Sequence, residues 1–424
     1  MKSTHFEASY LIETPLAPEA VAEVMAGEQS CGTFTRVAGE TDDLRARARA
    51  QVLQVQPLGT VERPSLPNAW LERQGYGAGA HWQRARVRIA FPIANVGANL
   101  PTLAATVSGN LYDLGEVSGL RLECLDLPPD YRDQFDLPTL GVAGTRRSIG
   151  ASGALVGTII KPNVGLSAQQ TADLVRQLCD AGVDFIKDDE VSANPAHAPL
   201  RERIPAVMRV VREHRERTGK WVMVAFNISD ETSAMLRHAD LVQQEGGSCV
   251  MASINWCGLS GIQSLRRHTP LALHAHRNGY GALSRDPMLG MGYQAYQTLW
   301  RLAGVDHVHV HGLQGKFAQP DAEVVESAQD CQRRLSAAQD DRVLPAFSSG
   351  QWAGTVPATW AALQSDDLLF MAGGGILAHP DGPAAGVLSI RQAWAAVREG
   401  SSLDDYARHA PELARALQFF GKRG

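Results

Sequence analysis

Lysine is scarce in this chain. Six lysines in 424 residues (Lys2, Lys161, Lys187, Lys220, Lys316 and Lys422) stand against thirty-four arginines. Positive charge is therefore carried almost wholly by a group that stays protonated, and the few lysines are candidates for work that needs a primary amine able to lose its proton. Three of them sit in short apolar segments: Lys161 in GTIIKPN, Lys187 in DFIKDDE and Lys316 in HGLQGKF. Cysteine is equally sparse. The six residues Cys31, Cys124, Cys179, Cys249, Cys257 and Cys331 fall singly with no CxxC pair, which excludes a disulfide framework or a cysteine zinc site and leaves reduced thiols. No run approaches the roughly 18 uninterrupted apolar residues of a membrane span, and MKSTHFEASYLIETP has no apolar core of a secretory signal, so a cytoplasmic protein is expected. Basic excess is lacking too: the formal charge is −5, which argues against nucleic acid or an anionic membrane as the main partner and favours a small metabolite.

What is present is enough apolar sequence, 44%, to bury one large core or two ordinary ones. In the first 145 or so residues, alternating segments (HFEASYLIE, ARAQVLQVQPL, QRARVRIAFPIANV, LRLECLDLP) mix with helical stretches such as APEAVAEVMAGEQS, which predicts an α+β domain of ferredoxin-like type over 1–145, an antiparallel sheet with helices on one face. GVAGTRRSIGASGALV, rich in Gly, Ser and Arg, marks a junction. Beyond it come eight short apolar runs, each followed by a polar or Gly-rich turn and most by a helix-length segment: GTIIKPN, DFIKDDE, WVMVAFNIS, SCVMASINW, LALHAHRNG, DHVHVHG, VLPAFSSG and LLFMAGGGI. This rhythm predicts a (β/α)8 TIM barrel over 146–424. Lys161, Lys187, Asp189, Glu190, His276, Arg277, His309, Lys316, Ser348 and the glycines 373–375 all fall at or just after the C-terminal ends of those runs, the catalytic face of such a barrel.

Each cluster has a chemical and a plainer reading. On an extended strand Lys187 and Asp189 share a face, with Glu190 joining at the loop; a carbamate made from the lysine amine and CO2 would complete three oxygen anions for a hard ion such as Mg2+. Taken alone, KDDE also reads as a turn of surface ion pairs. Lys161, fixed by Pro162 at a strand end, is either a desolvated general acid or base or a lysine reaching for solvent. In HAHR and HVHVHG, His274 and His276 share one strand face, as do His307, His309 and His311; such alternation suits a zinc site or core histidines bonded to backbone carbonyls, the latter fitting His274 and His307. Gly373, Gly374 and Gly375 after the eighth run offer bare amides for a phosphate, or serve a turn.

GTIIKPNVGLS, GVDFIKDDE, HAHR, DHVHVHGLQGK, FSSG and AGGGILAHPDGPAAG, in this order, with EQSCGTFT and SGN earlier, resemble the RuBisCO superfamily over nearly the whole chain, and within it the RuBisCO-like proteins more than the carboxylases. The resemblance implies that Lys187 is carbamylated and binds Mg2+ with Asp189 and Glu190. It gives Lys161 the role of enolisation acid/base, with His276 also acting in the chemistry or on a phosphate. It implies that His309, Arg277, Ser348 and Gly350 hold one end of the substrate and Gly373 and Gly374 the other. Lys316 would be the lysine of a mobile lid, and Glu28, Thr33 and Asn110 would be supplied across a homodimer interface, each site being shared between two chains, with higher assembly open. The chain departs from the carboxylase pattern at Asn163, where a second lysine is expected, at Tyr280 in place of a histidine, at Phe34 in place of a tryptophan, and in a lid reading GKFAQP without its glutamate. What survives is the machinery that holds an enediolate. The resemblance thus implies an Mg2+-dependent decarboxylase or transcarboxylase/hydrolase of a 3-oxo sugar acid, 3-oxo-isoapionate and its 4-phosphate among them. An isomerase or enolase of a methylthioribulose-type phosphate is the alternative, and a non-catalytic sugar-phosphate sensor a third reading.

Overall fold

The computed structural model describes residues 3–32, 37–77 and 79–423. The chain forms two compact units, one of Met1–Asp136, Gly279–Ala303 and Leu335–Asp340, the other of Leu137–Asn278, Gly304–Arg334 and Asp341–Gly424. Residue 145, where the sequence suggests a junction, lies inside a helix of the second unit, Gly141–Ile149. Among the described residues no helix is long and apolar enough to cross a membrane.

In the first unit β1 (His5–Thr14) runs antiparallel to both β3 (Trp82–Pro92) and β4 (Gly119–Asp126), and β2 (Gln51–Val61) pairs with β3 at one edge. Burial along β1 alternates, with Phe6, Ala8, Tyr10 and Ile12 wholly enclosed, the period of a strand with one face on a core. Helix Pro18–Glu28 contributes Val21, Ala22 and Met25 to the core, and helix Leu100–Ser108 adds Leu103 and Val107. Tyr10 donates its hydroxyl to the carbonyl of Val107 at 2.9 Å. The sheet is mixed rather than purely antiparallel, because β10 (Leu289–Met291) returns from late in the chain to pair in parallel with β4.

The second unit is the expected barrel. Its strands are β5 (Leu155–Ile159), β6 (Phe185–Lys187), β7 (Met223–Asn227), β8 (Cys249–Ser253), β9 (Ala272–His276), β11 (His307–His309), β12 (Leu344–Phe347) and β13 (Leu369–Met371), one in each apolar run. All neighbours pair in parallel, and Leu369 facing Leu155 and His307 facing His274 close the ring. Strands covered on both faces read as continuous apolar runs, which is why these were legible. Leu155, Phe185, Met223, Met251, Leu344, Leu369 and Met371 fill the interior, and Val142 and Ile149 of the Gly141–Ile149 helix pack into the same cluster. Gly157 is needed there: a Cβ would stand 2.4 Å from Met371 Sδ.

Two carboxylates tie the barrel at the N-terminal ends of its strands. Asp306, fully buried ahead of β11, accepts from Leu273 N at 2.8 Å, from Leu140 N at 2.6 Å and Gly141 N at 2.9 Å, and pairs with Arg266 at 3.1 Å. Asp184, ahead of β6, accepts from Val156 N at 2.8 Å and meets Arg391 and Lys220. Each carboxylate joins its own strand to the backbone of the strand before it.

His274 and His307 lie in the barrel interior beside Phe185, at ring separations of 5.1 and 5.8 Å. They are core histidines, but backbone carbonyls are not their partners. His307 Nε2 meets Thr145 Oγ1 at 2.8 Å, and His274 Nε2 meets His309 Nε2 at 2.8 Å. β11 ends at His309, so His311, at φ 69°, lies beyond the strand, its ring centre 4.7 Å from that of Phe317.

Removing the Asp306 carboxylate leaves the Arg266 charge buried without this partner and strands three amide donors. Asp306→Ala is expected to lower the unfolding free energy by about 3–5 kcal/mol, measured by urea denaturation. Burial pushes the His307 ring down to about 4, against the opposing pull of Asp306. Below its ordinary value near 6.5 the unfolded chain takes up this proton while the folded one resists. Stability is therefore highest above pH 6.5 and falls as the pH drops towards 4, by on the order of 3 kcal/mol from this ring. Thermal melts of wild type and His307→Gln between pH 7.5 and 4.5 check this, the variant showing the shallower loss.

Candidate active site

The site is built from the C-terminal ends of the barrel strands. β6 ends on Lys187, whose side chain is only 3% exposed, so Asp188, Asp189 and Glu190 belong to the turn that follows rather than to the strand. Lys187 Nζ donates to the carbonyl of Asp188 at 3.1 Å and lies 3.3 Å from Glu190 Oε2. Burial drives the Lys187 pKa down, although Glu190, Asp189 and Asp188 pull the other way. Burial in turn opposes ionisation of Glu190, but the Lys187 amine, His276 and the hydrogen bonds to its carboxylate together hold that carboxyl below the usual carboxylate range. Asp188 faces away from this group. Its carboxylate accepts from Asn227 N at 2.9 Å and Arg203 Nη2 at 3.1 Å, both buried, and Asn227 Nδ2 donates to the carbonyl of Asp189 at 3.0 Å. These three residues fix the turn that carries Asp189 and Glu190, and sequence reading missed them.

Lys161 is not desolvated as the sequence suggested. β5 ends at Ile159, the chain turns at Pro162, and the side chain emerges 38% exposed. Its Nζ donates to Asp189 Oδ2 at 2.9 Å and to Asn163 Oδ1 at 2.6 Å. The residue that replaces a second lysine thus contributes an acceptor. Lys316 is also exposed, on a loop whose Lys316 N donates to Ser349 Oγ at 3.3 Å; its ammonium lies 5.4 Å from the Phe317 ring centre.

His276, at the end of β9, brings Nε2 to 3.5 Å from Glu190 Oε2, and burial, reinforced by Lys187, pushes its pKa down to about 3. Burial likewise holds His309 well below the ordinary histidine range, and its Nδ1 meets Ser348 Oγ at 3.0 Å. Arg277 is buried, with Nη2 on Gln319 Oε1 at 2.7 Å. Ser349 and Gly350 both take positive φ, 77° and 71°, and present Gly350 to solvent. After β13, Gly373 and Gly374 remain accessible while Gly375 is buried, because a Cβ there would meet Gln351 O at 2.5 Å. Ser253, at the end of β8 and in register with His276, has a buried hydroxyl with no hydrogen-bond partner; sequence reading passed over it. Tyr280, at the expected histidine position, belongs to the first unit and donates its hydroxyl to Met291 O at 3.1 Å.

Glu28 and Asn110 meet each other in the first unit, Asn110 Nδ2 donating to Glu28 Oε1 at 3.1 Å. Thr33 and Phe34 lie outside the described residues.

Among the described residues no group of three or more His, Cys, Asp or Glu side chains is arranged to hold a metal ion. Asp189 and Glu190 supply two oxygen donors, and a hard cation needs more. An amine buried beside them, with its proton loosened by desolvation, is the chemistry that captures CO2 and turns a cation into the third oxygen anion. The residues present fit a magnesium ion on those terms.

Residues 141–420 match the family described as ribulose bisphosphate carboxylase large chain, catalytic domain, and residues 2–131 match its N-terminal domain. The chain is 46% identical to the 3-oxo-isoapionate-4-phosphate transcarboxylase/hydrolase of Xanthobacter autotrophicus, over 97% of this chain and 98% of that protein. It is 41% identical to the 3-oxo-isoapionate-4-phosphate decarboxylase of Rhizobium rhizogenes, over 97% of each. The crystal structure of a rubisco-like protein from Burkholderia fungorum superimposes with a TM-score of 0.93 at 67% identity, covering 98% of this chain and all of that one. With both domains matched in order and barrel, turn and lysines in place, the chain belongs to the RuBisCO large-chain family.

Proposed function

We propose that this protein is an Mg2+-dependent RuBisCO-like enzyme that cleaves a carboxyl group from a phosphorylated 3-oxo sugar acid, with 3-oxo-isoapionate 4-phosphate as the leading substrate. It would act as a decarboxylase or a transcarboxylase/hydrolase rather than fix CO2 on ribulose bisphosphate. The observation that carries this reading is the buried Lys187 amine beside Glu190, with Asp189 held by Lys161 and an asparagine, not a second lysine, at position 163. The names of the relatives at 46% and 41% identity support the substrate class.

Lys187 as its carbamate, Asp189 and Glu190 would hold Mg2+, which when bound supplies positive charge for the substrate oxygens. In a 3-oxo acid the bond to the departing carboxylate breaks towards the ketone. Its electron pair becomes an enediolate, CO2 leaves, and carbon then needs a proton. Lys161 Nζ, reachable from solvent and oriented by Asp189 and Asn163, is the group placed to deliver it. His276, kept neutral by burial, offers a ring that can donate or accept at a substrate oxygen. Gly373, Gly374 and the lid residue Lys316 suit a phosphate at one end, with Arg277, His309, Ser348 and Gly350 at the other. Decarboxylase and transcarboxylase/hydrolase share the bond cleavage and differ in where the carboxyl group goes. We read the working form as a cytoplasmic homodimer, each site completed by Glu28, Thr33 and Asn110 of the paired copy, with a small-molecule substrate and neither nucleic acid nor membrane as partner.

Purified protein supplied with Mg2+ and bicarbonate is expected to convert 3-oxo-isoapionate 4-phosphate, followed by mass spectrometry of products; no turnover with any 3-oxo sugar acid or its phosphate sinks the reading. Lys161→Met should lower kcat by about 10²–10⁴-fold with KM little changed, as for loss of a general acid. Chelation with EDTA, or Lys187→Ala, should abolish turnover, and bicarbonate with Mg2+ should restore the chelated wild type but not the variant. A Lys187→Ala protein as active as wild type would remove the carbamate and the metal together.

A further inference from the structure

Hydrogen bonds link the floor of the barrel to the site through a row of three histidine rings that meet edge to face. Thr145 Oγ1 donates to the carbonyl of Gly141 at 2.6 Å and meets His307 Nε2 at 2.8 Å. His307 Nδ1 faces His274 Nδ1 at 3.4 Å, His274 Nε2 faces His309 Nε2 at 2.8 Å, and His309 Nδ1 faces Ser348 Oγ at 3.0 Å. All three rings are buried, and burial lowers their pKa values, His307 to about 4, so at neutral pH each carries a single ring proton.

One proton per ring fixes the direction of the whole row. An O···O separation of 2.6 Å is hydrogen-bond length, and two acceptors that close with no proton between them would repel, so the single Thr145 proton lies on the side of Gly141 O. Thr145 must then accept from His307 Nε2–H, which leaves His307 Nδ1 bare. His274 answers with Nδ1–H, leaving its Nε2 bare. His309 answers with Nε2–H, leaving its Nδ1 bare, and the Ser348 hydroxyl donates into that nitrogen. In the reverse order His307 Nδ1–H would donate to His274 Nδ1 and the row itself would be complete, but Thr145 would spend its proton on His307 and the 2.6 Å Thr145–Gly141 contact would be left without one, so that contact sets the direction.

We propose that Thr145 is a positioning residue for the site: by accepting from His307 it sets one tautomer along His307, His274 and His309, and so makes Ser348 a hydrogen-bond acceptor towards the pocket. Ser348 is partly exposed, and its one proton is spent on His309. It therefore recognises a substrate hydroxyl, which has a proton to give, and leaves an anionic oxygen to donors such as Arg277. The row is independent of which carbonyl compound enters and of any metal.

Full-length protein carrying 15N-labelled histidine, read by long-range 1H–15N correlation at pH 7.5, tests this directly. Wild type should show the ring proton on Nε2 of His307, Nδ1 of His274 and Nε2 of His309. Thr145→Val, which removes the acceptor but keeps the shape, should move ring protons to the opposite nitrogens in at least one of the three, and Thr145→Ser should restore the wild-type pattern. If Thr145→Val does not fold, neutron diffraction from deuterium-exchanged wild-type crystals decides alone: deuterium on His274 Nδ1 supports the proposal. A proton on His274 Nε2 in wild type, or a folded Thr145→Val with all three tautomers unchanged, overturns it.

Discussion

A lysine amine enclosed at the end of a barrel strand is the constraint around which this site is arranged. Burying an ammonium in the interior is costly unless anions meet it, and Lys187 is met by the turn that follows it, through the Asp188 carbonyl and the Glu190 carboxylate. That turn is itself anchored. Asp188 turns back onto Arg203 and the Asn227 amide, so the residue between Lys187 and the Asp189 and Glu190 carboxylates serves as the tether. Three successive acidic residues thus have different duties, decided by which way each side chain leaves the backbone.

The barrel supplies the rigidity that such a turn needs. Asp184 and Asp306 tie adjacent strands at the N-terminal ends of β6 and β11, one short strand away from the chemistry, and the interior between is packed with Leu, Met and Phe. At the opposite ends His311, Gln314, Ser349 and Gly350 take positive φ within the loops after β11 and β12. Site residues at strand tips inherit the order of the sheet, while the exposed Lys316 lies on a loop beyond it, as the proposed lid role requires.

How much of this was legible in the sequence follows from the range of the interactions. The eight strands could be read because each is a short apolar run buried on both faces, and the lysines could be read because this chain has so few. Lys161 was misjudged for a local reason: strand-end position does not reveal that the chain turns at Pro162 and releases the side chain towards solvent. Partnerships over long separations left no local signal. β10 adds to β4 from 169 residues on in the registered pair Leu289–Leu120, and Thr145, in a stretch that composition marks as a junction, pairs with His307 162 positions away. Spacing could place His274 and His307 in the core, but only their neighbours show that they bond to one another's row and not to carbonyls.

The exchange at position 163 bears most directly on the chemistry. A second lysine there would set two cations side by side at the lip of the site, an arrangement suited to binding and polarising an incoming neutral CO2. Asparagine sets an acceptor 2.6 Å from Lys161 Nζ, and with Asp189 at 2.9 Å the amine has both its fixed partners on the accepting side. In the proposed mechanism an amine held in this way gives its proton to carbon once a carboxyl group has gone, and one of the two lysine charges that would face a new CO2 is absent. On the proposed reading the change tilts one shared enediolate machinery from gaining a carboxyl group towards losing one.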